Sequence, residues 1–170
     1  MPDSPDPYTL ALTRHLSRRA RARLVQVGSA DALVTDRLHR LAMAFSTTSR
    51  IMIVESDAVK ATHLEQAFVA HPRMSTARVP VGGAGPTLAG ILTRAGWSPD
   101  GIDLLQVNVT EEPDTTLGRC DLEHTRPQII AYRHRALAEI RRLALEARLH
   151  RLGYHLQPWT LTDTFASRQP

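Results

Sequence analysis

A chain of 170 residues, 42% hydrophobic and 22% charged, can bury a core without staples and does not have the composition of a disordered segment. The formal net charge of +4 does not read as a phosphate footprint: Lys60 is the only lysine, and neither a nucleic-acid motif nor an aromatic stacking platform accompanies the arginines. No apolar run approaches the ~18 residues a membrane helix needs, the amino terminus MPDSPDPYTL has no apolar signal core, and a single cysteine, Cys120, excludes an internal disulfide, so a cytoplasmic protein contacting neither membrane nor nucleic acid is expected.

In chain order, residues 8–22 predict a helix whose cluster Arg14, Arg18, Arg19, Arg21 and Arg23 reads as a solvated face. LVQVG (Leu24 to Gly28) is a short buried strand. From Asp31 the residues Val34, Leu38, Leu41, Ala42 and Phe45 recur at three- and four-residue steps, one helical stripe. RIMIVES (Arg50 to Ser56) is the second buried strand, and Ser56 or Asp57 can cap a helix running to about Ala70. Residues 71–86 suit a short edge strand at most, since Pro80 donates no ladder hydrogen bond. Thr87 caps the helix TLAGILTRAG, which stops at Gly96.

The strand IDLLQVNV follows, then a loop, then the strand PQIIAYRH (Pro127 to His134). A long helix spans about 136–152, with Leu137, Ile140, Ala144, Ala147 and Leu152 on one side and Gly153 as its stop. YHLQPW and DTFASR close the chain as an antiparallel pair at the sheet edge. Alternating strands and helices with strands this apolar predict an α/β fold, a mainly parallel sheet between helices. The whole chain, 1–170, reads as one domain with residues 1–23 as a helical lead-in.

Two features bear on a ligand. Gly28, at the end of the first strand, lets the backbone turn sharply into a helix whose amino terminus can face a ligand. Glu55, at the end of the second strand, is placed to accept hydrogen bonds from two ribose hydroxyls. A tight turn at Gly28, an N-cap at Asp31 and a solvated Glu55 account for the same residues, and composition and spacing alone slightly favour that plain reading.

The segments VQVGSADALVTDRLHRL, IMIVESD, TLAGILTRAG, IDLLQVNV, RPQIIAYRHRAL and LHRLGYHL…DTFA occur in an order that resembles the FkbM family over roughly residues 24–166. That resemblance implies a Rossmann-like, class I methyltransferase-like fold using S-adenosylmethionine. It implies cofactor binding through Gly28, Asp31 and Glu55, with Asp36, His39 and His134 at further matching positions. The chain departs from the family pattern where chemistry is carried. Asn108 stands in place of Asp, Thr110 in place of Glu, Glu111 in place of Gly and Pro113 in place of a second Asp. Arg133 replaces the Glu before His134, and Ala32 replaces a Gly. The stretch between Glu55 and Thr87 is also shorter than the family's, which makes this a truncated version of the domain. An arginine cannot stand in for a carboxylate that faces a sulfonium; it repels the cation.

Other chemistry finds little support. No histidines sit at metal-ligand spacing on a helix. GGAGPT lacks the Lys-Ser/Thr of a phosphate-binding loop, and no G-x-S-x-G elbow is present. Cys120 beside His124 reads as an inert loop thiol. Tyr132, Arg133, His134 and Arg135 cluster at a strand end, either as a basic solvated edge or as an anion-binding group beside Asn108. Asn108, Arg133 and His134 are therefore the candidate catalytic residues. The favoured expectation is a methyltransferase-fold protein that no longer transfers methyl groups. It would act as a partner subunit, in a hetero- or homo-oligomer, or as a non-methylating enzyme on an anionic small molecule in specialised biosynthesis. The alternative is an active small-molecule O-methyltransferase.

Overall fold

The structure is a computed structural model that describes residues 7–18, 21–28, 49–79, 85–109, 113–135, 137–158 and 160–168. The helix expected from Asp31, and Pro80, lie outside these residues. Seven strands form one sheet: β1 Arg23–Val27, β2 Arg50–Glu55, β3 Met74–Arg78, β4 Leu104–Val107, β5 Ile129–Arg133, β6 Tyr154–Pro158 and β7 Asp163–Arg168. Their order is β3-β2-β1-β4-β5-β7-β6. The first five strands run parallel, and β7 lies antiparallel between β5 and β6. The mainly parallel α/β sheet and its closing antiparallel pair are as the sequence predicts. Among the described strands, residues 74–78 form the edge and pair with β2 alone.

The described helices are α1 Pro7–Ser17, α2 Ala58–Phe68, α3 Leu88–Arg94, α4 Pro113–Arg119, α5 Leu122–Thr125 and α6 Glu139–Arg151. Asp57 caps α2 by accepting from the Val59 and Lys60 amides at 2.8 and 3.0 Å, and Thr87 caps α3 through the Gly90 amide. Both satisfy amide donors that a first helical turn leaves unpaired. Two apolar layers cover the sheet, as strands buried on both faces require. Val25, Met52, Leu105 and Ile130 face Ile91, Leu92, Leu117 and Leu149 from α3, α4 and α6. Leu24, Ile51, Ile53 and Ile129 face Leu16 of α1 and Leu64 and Phe68 of α2.

Asp103 ties β1, β4 and α1 together at the amino edge of the sheet. It is 4% exposed; its Oδ2 accepts from the Arg23 amide at 2.8 Å and its Oδ1 meets His15 Nε2 at 2.8 Å. On the opposite layer, Tyr154 donates its hydroxyl to the Pro127 carbonyl at 2.7 Å, and the Arg50 guanidinium sits 4.8 Å from the centre of the buried Trp97 ring.

Two expectations need correction. The segment between β4 and β5, expected as a loop, carries α4 and α5. Proline at the first position of α4 loses no helical hydrogen bond, and Asp114 in the first turn suits the helix dipole. The expected apolar side of α6 meets the core only at its two ends, through Leu137 and Leu152. Leu145 and Leu149 are buried, whereas Ile140 is 79% exposed and Ala144 and Ala147 are exposed. The helix has apolar residues on two sides, and Leu145 and Leu149 are the ones that reach the core. Leu149→Ala is expected to cost about 2–4 kcal/mol in urea denaturation, and Ile140→Ala to stay within about 0.5 kcal/mol of the parent. The reverse ranking would mean that α6 is rotated.

Candidate functional site

The carboxyl ends of β1, β2 and β4 meet at Gly28, whose φ is +81°. A Cβ there would lie 2.8 Å from the Asn108 carbonyl oxygen and 2.8 Å from Val109 Cγ1. Only glycine meets both the left-handed backbone and the close approach. The junction is hydrogen-bonded on each side: the Gly28 amide donates to Val54 O at 2.9 Å and the Asn108 amide to Val27 O at 2.9 Å. The buried Gln26 side chain donates to the Gly28 carbonyl at 2.8 Å.

Glu55 ends β2 beside this turn and is 5% exposed. Its Oε1 accepts from the backbone amides of Ser56 and Asp57 at 2.8 and 2.9 Å, which orients the carboxylate from below. Charge-assisted bonds of this kind are the strong ones. A cavity of about 240 Å³ opens against these strand ends. Its walls are apolar, with Val27, Val54, Val79, Leu88, Ile91 and Val109, and Gly28 and Ser56 complete its sheet-side rim. Across from them α4 and its exit supply Thr116, Arg119 and Cys120. Sequence alone does not bring these last three to the site, because the segment expected as a loop is a helix. The proline–aspartate start of α4 was the signal that could have found it.

Of the residues expected at the site, Gly28 lines the cavity, Glu55 adjoins it through Ser56, and Asn108 forms the β1–β4 junction. Asp31, Asp36, His39, Thr110 and Glu111 lie outside the described residues. Arg133 and His134 are held by β7 and its turn instead. Arg133 Nε is 3.8 Å from Asp163 Oδ1, His134 Nδ1 is 2.8 Å from Thr164 Oγ1, and the His134 amide donates to Thr162 O at 2.8 Å. The group Tyr132–Arg135 is thus not one patch. Tyr132 is turned into the core, where burial, with the Glu146 charge beside it, pushes its hydroxyl up to about 12.

Cys120 and His124 do not form a nucleophilic pair. Burial pushes the Cys120 thiol up to about 12, and its Sγ faces the Thr116 carbonyl at 3.2 Å. His124 Nδ1 is 2.7 Å from Asp121 Oδ1, and this hydrogen bond raises the imidazole's affinity for its proton. Among the described residues, no group of three potential metal ligands gathers, and no helix is long and apolar enough to cross a membrane.

Gly28→Ala is expected to destabilise the protein by roughly 2–4 kcal/mol, measured by urea denaturation; a change under ~0.5 kcal/mol would contradict the close approach. The Cys120 thiol should react with an aromatic disulfide reagent at pH 8 at least ~100-fold more slowly than a free thiol. The unfolded chain releases this proton from 9.0 upward, and the folded chain holds it to about 12. The stabilisation is therefore complete below 9.0 and falls as pH rises through that window, by roughly 1 kcal/mol per pH unit. Cys120→Ser should remove that part of the alkaline loss.

No protein-family model matches the chain, and no curated protein matches it. Solved structures do. The METTL16 methyltransferase domain aligns with a TM-score of 0.63 at 14% identity, covering 95% of this chain and 66% of that one. Human methyltransferase-like protein 13, solved in complex with SAH, aligns at 0.59 and 16% identity over 95% and 79% of the two chains. The DszA carbon methyltransferase aligns at 0.60 and 12% identity, covering 95% of this chain and 50% of its own. This chain thus spans half to two-thirds of the length of two of these three. With the strand order and the antiparallel β7, these likenesses show that the chain has the Rossmann-like fold of the class I methyltransferases.

Proposed function

We propose that this protein binds an adenosyl ligand of the S-adenosylmethionine type at the carboxyl edge of β1, β2 and β4, and that it has lost the acidic half of the site that serves methyl transfer. The carrying observation is one juxtaposition: the Gly28 turn, the apolar cavity between it and α4, and the amide-held Glu55 carboxylate that adjoins this cavity through Ser56. Glu55 would accept the ribose hydroxyls, and the aliphatic walls suit the faces of a purine. The order of the FkbM-like motifs supports the same assignment of Gly28 and Glu55, with Asp31 at the matching position in between.

The sulfonium end differs. Asn108 carries no charge, and Arg133 lies 3.8 Å from Asp163. A carboxylate about 6 Å from a sulfonium in a partly dry site contributes roughly 2 kcal/mol, and its loss removes most of the preference for the cationic ligand over its neutral, demethylated product. A small-molecule substrate handled without methylation, in a specialised biosynthetic role, is the reading that fits these substitutions.

Calorimetric titration tests this. S-adenosylmethionine and S-adenosylhomocysteine should bind within about threefold of each other, and Glu55→Ala should weaken both at least ~10-fold. Absence of binding by either at 1 mM overturns the cofactor assignment. Tenfold tighter binding of the methylated form overturns the loss of the acidic half.

A further inference from the structure

The outer side of α6 is an apolar stripe that no described residue covers. Ile140 is 79% and Leu143 52% exposed, and Ala144 and Ala147 are exposed between and beyond them. Positions 140, 143, 144 and 147 follow the three- and four-residue spacing of one helix face. It lies opposite Leu145 and Leu149, which are buried in the core.

The charges on this helix divide into two sets. Arg141 bonds Asp114 at 2.7 Å, Arg142 bonds Glu146 at 3.0 Å and Arg148 bonds Glu123 at 3.1 Å. Each of those cations is matched within the chain. Glu139, at the amino end, and Arg151, at the carboxyl end, make no ion pair among the described residues, and both are exposed. They sit at opposite ends of the uncovered stripe.

We propose that α6 is a self-association surface, and that its occupant is the α6 of a second copy of this chain, packed antiparallel about a two-fold axis. A two-fold axis pairs a surface with itself, so the stripe must be self-complementary, and this one is. Antiparallel packing sets each Glu139 against the Arg151 of the second copy, whereas parallel packing would place like charges together. The two alanines at the middle let the helices approach closely, and Ile140 packs between Ala147 and the aliphatic stem of Arg151 of the other copy. Helices of this length meeting along one stripe bury roughly 600–800 Å² in total. That is below the ~1,200 Å² of the smaller stable complexes, so the dimer is weak and reversible. The surface is independent of whatever the cavity binds.

Sedimentation equilibrium of the full chain from about 1 to 500 µM tests the proposal. A monomer–dimer equilibrium with a dissociation constant of roughly 10–100 µM is expected. Ile140→Arg should abolish it while thermal unfolding stays within a few degrees of the parent. Glu139→Arg alone should weaken the dimer at least ~10-fold, and Glu139→Arg with Arg151→Glu should restore it. A chain that is monomeric at 500 µM, a dimer indifferent to Ile140→Arg, or a double variant that stays as weak as the single one each overturns the proposal. An open-ended series of larger species does so as well, because a two-fold contact closes.

Discussion

The arrangement of the carboxyl edge depends on how closely β1 approaches β4. Gly28 passes the Asn108 carbonyl at a distance no side chain tolerates, and that contact brings the ends of β1, β2 and β4 around one cavity. At the other end of the same two strands, Asp103 accepts from the Arg23 amide and holds His15 of α1. The pair is thus pinned at both ends, by a steric requirement at one and a buried carboxylate at the other. The strands between are apolar apart from Gln26, whose side chain bonds the Gly28 carbonyl, and Gln106. Residues such as Glu55 are then placed by strand register and not by local sequence.

Much of the fold was readable because its strands announce themselves. Ile51 to Val54 is an unbroken apolar run, as a strand covered on both faces must be. The β6–β7 pair, the edge position of residues 74–78 and the caps at Asp57 and Thr87 follow from turn and cap chemistry alone. The orientation of α6 did not, because periodicity finds an apolar stripe without saying which one meets the core. Leu145 and Leu149 outcompete Ile140 only through the shape of what they pack against.

The site was legible to the same degree and for the same reasons. Gly28 and Glu55 stand at strand ends, where position implies placement. Thr116, Arg119 and Cys120 reach the cavity from α4 and its exit, whose proline–aspartate start marks a helix without saying what it faces. Arg133 and His134 stand at the end of β5, a position that suits a solvated edge and an anion site alike. Their partners Asp163 and Thr164 arrive from a strand some thirty residues later. A substitution that looks electrostatically hostile in the sequence is partly accommodated by its neighbour in the sheet. Charge change at one position is therefore weak evidence about a site until the cross-strand partner is known.

The place of β7 also has a consequence for how the chain folds. Because β7 lies between β5 and β6, β5 has an open edge and β6 has no ladder partner until residues 163–168 have left the ribosome. The parallel half can form earlier, leaving an unpaired strand exposed to non-native pairing in the interval. Insertion of β7 closes that edge and in the same step gives Arg133 and His134 their partners. β7 thus both seals the edge of β5 and sets the electrostatics beside it, so any folding intermediate that lacks β7 exposes an edge open to non-native pairing.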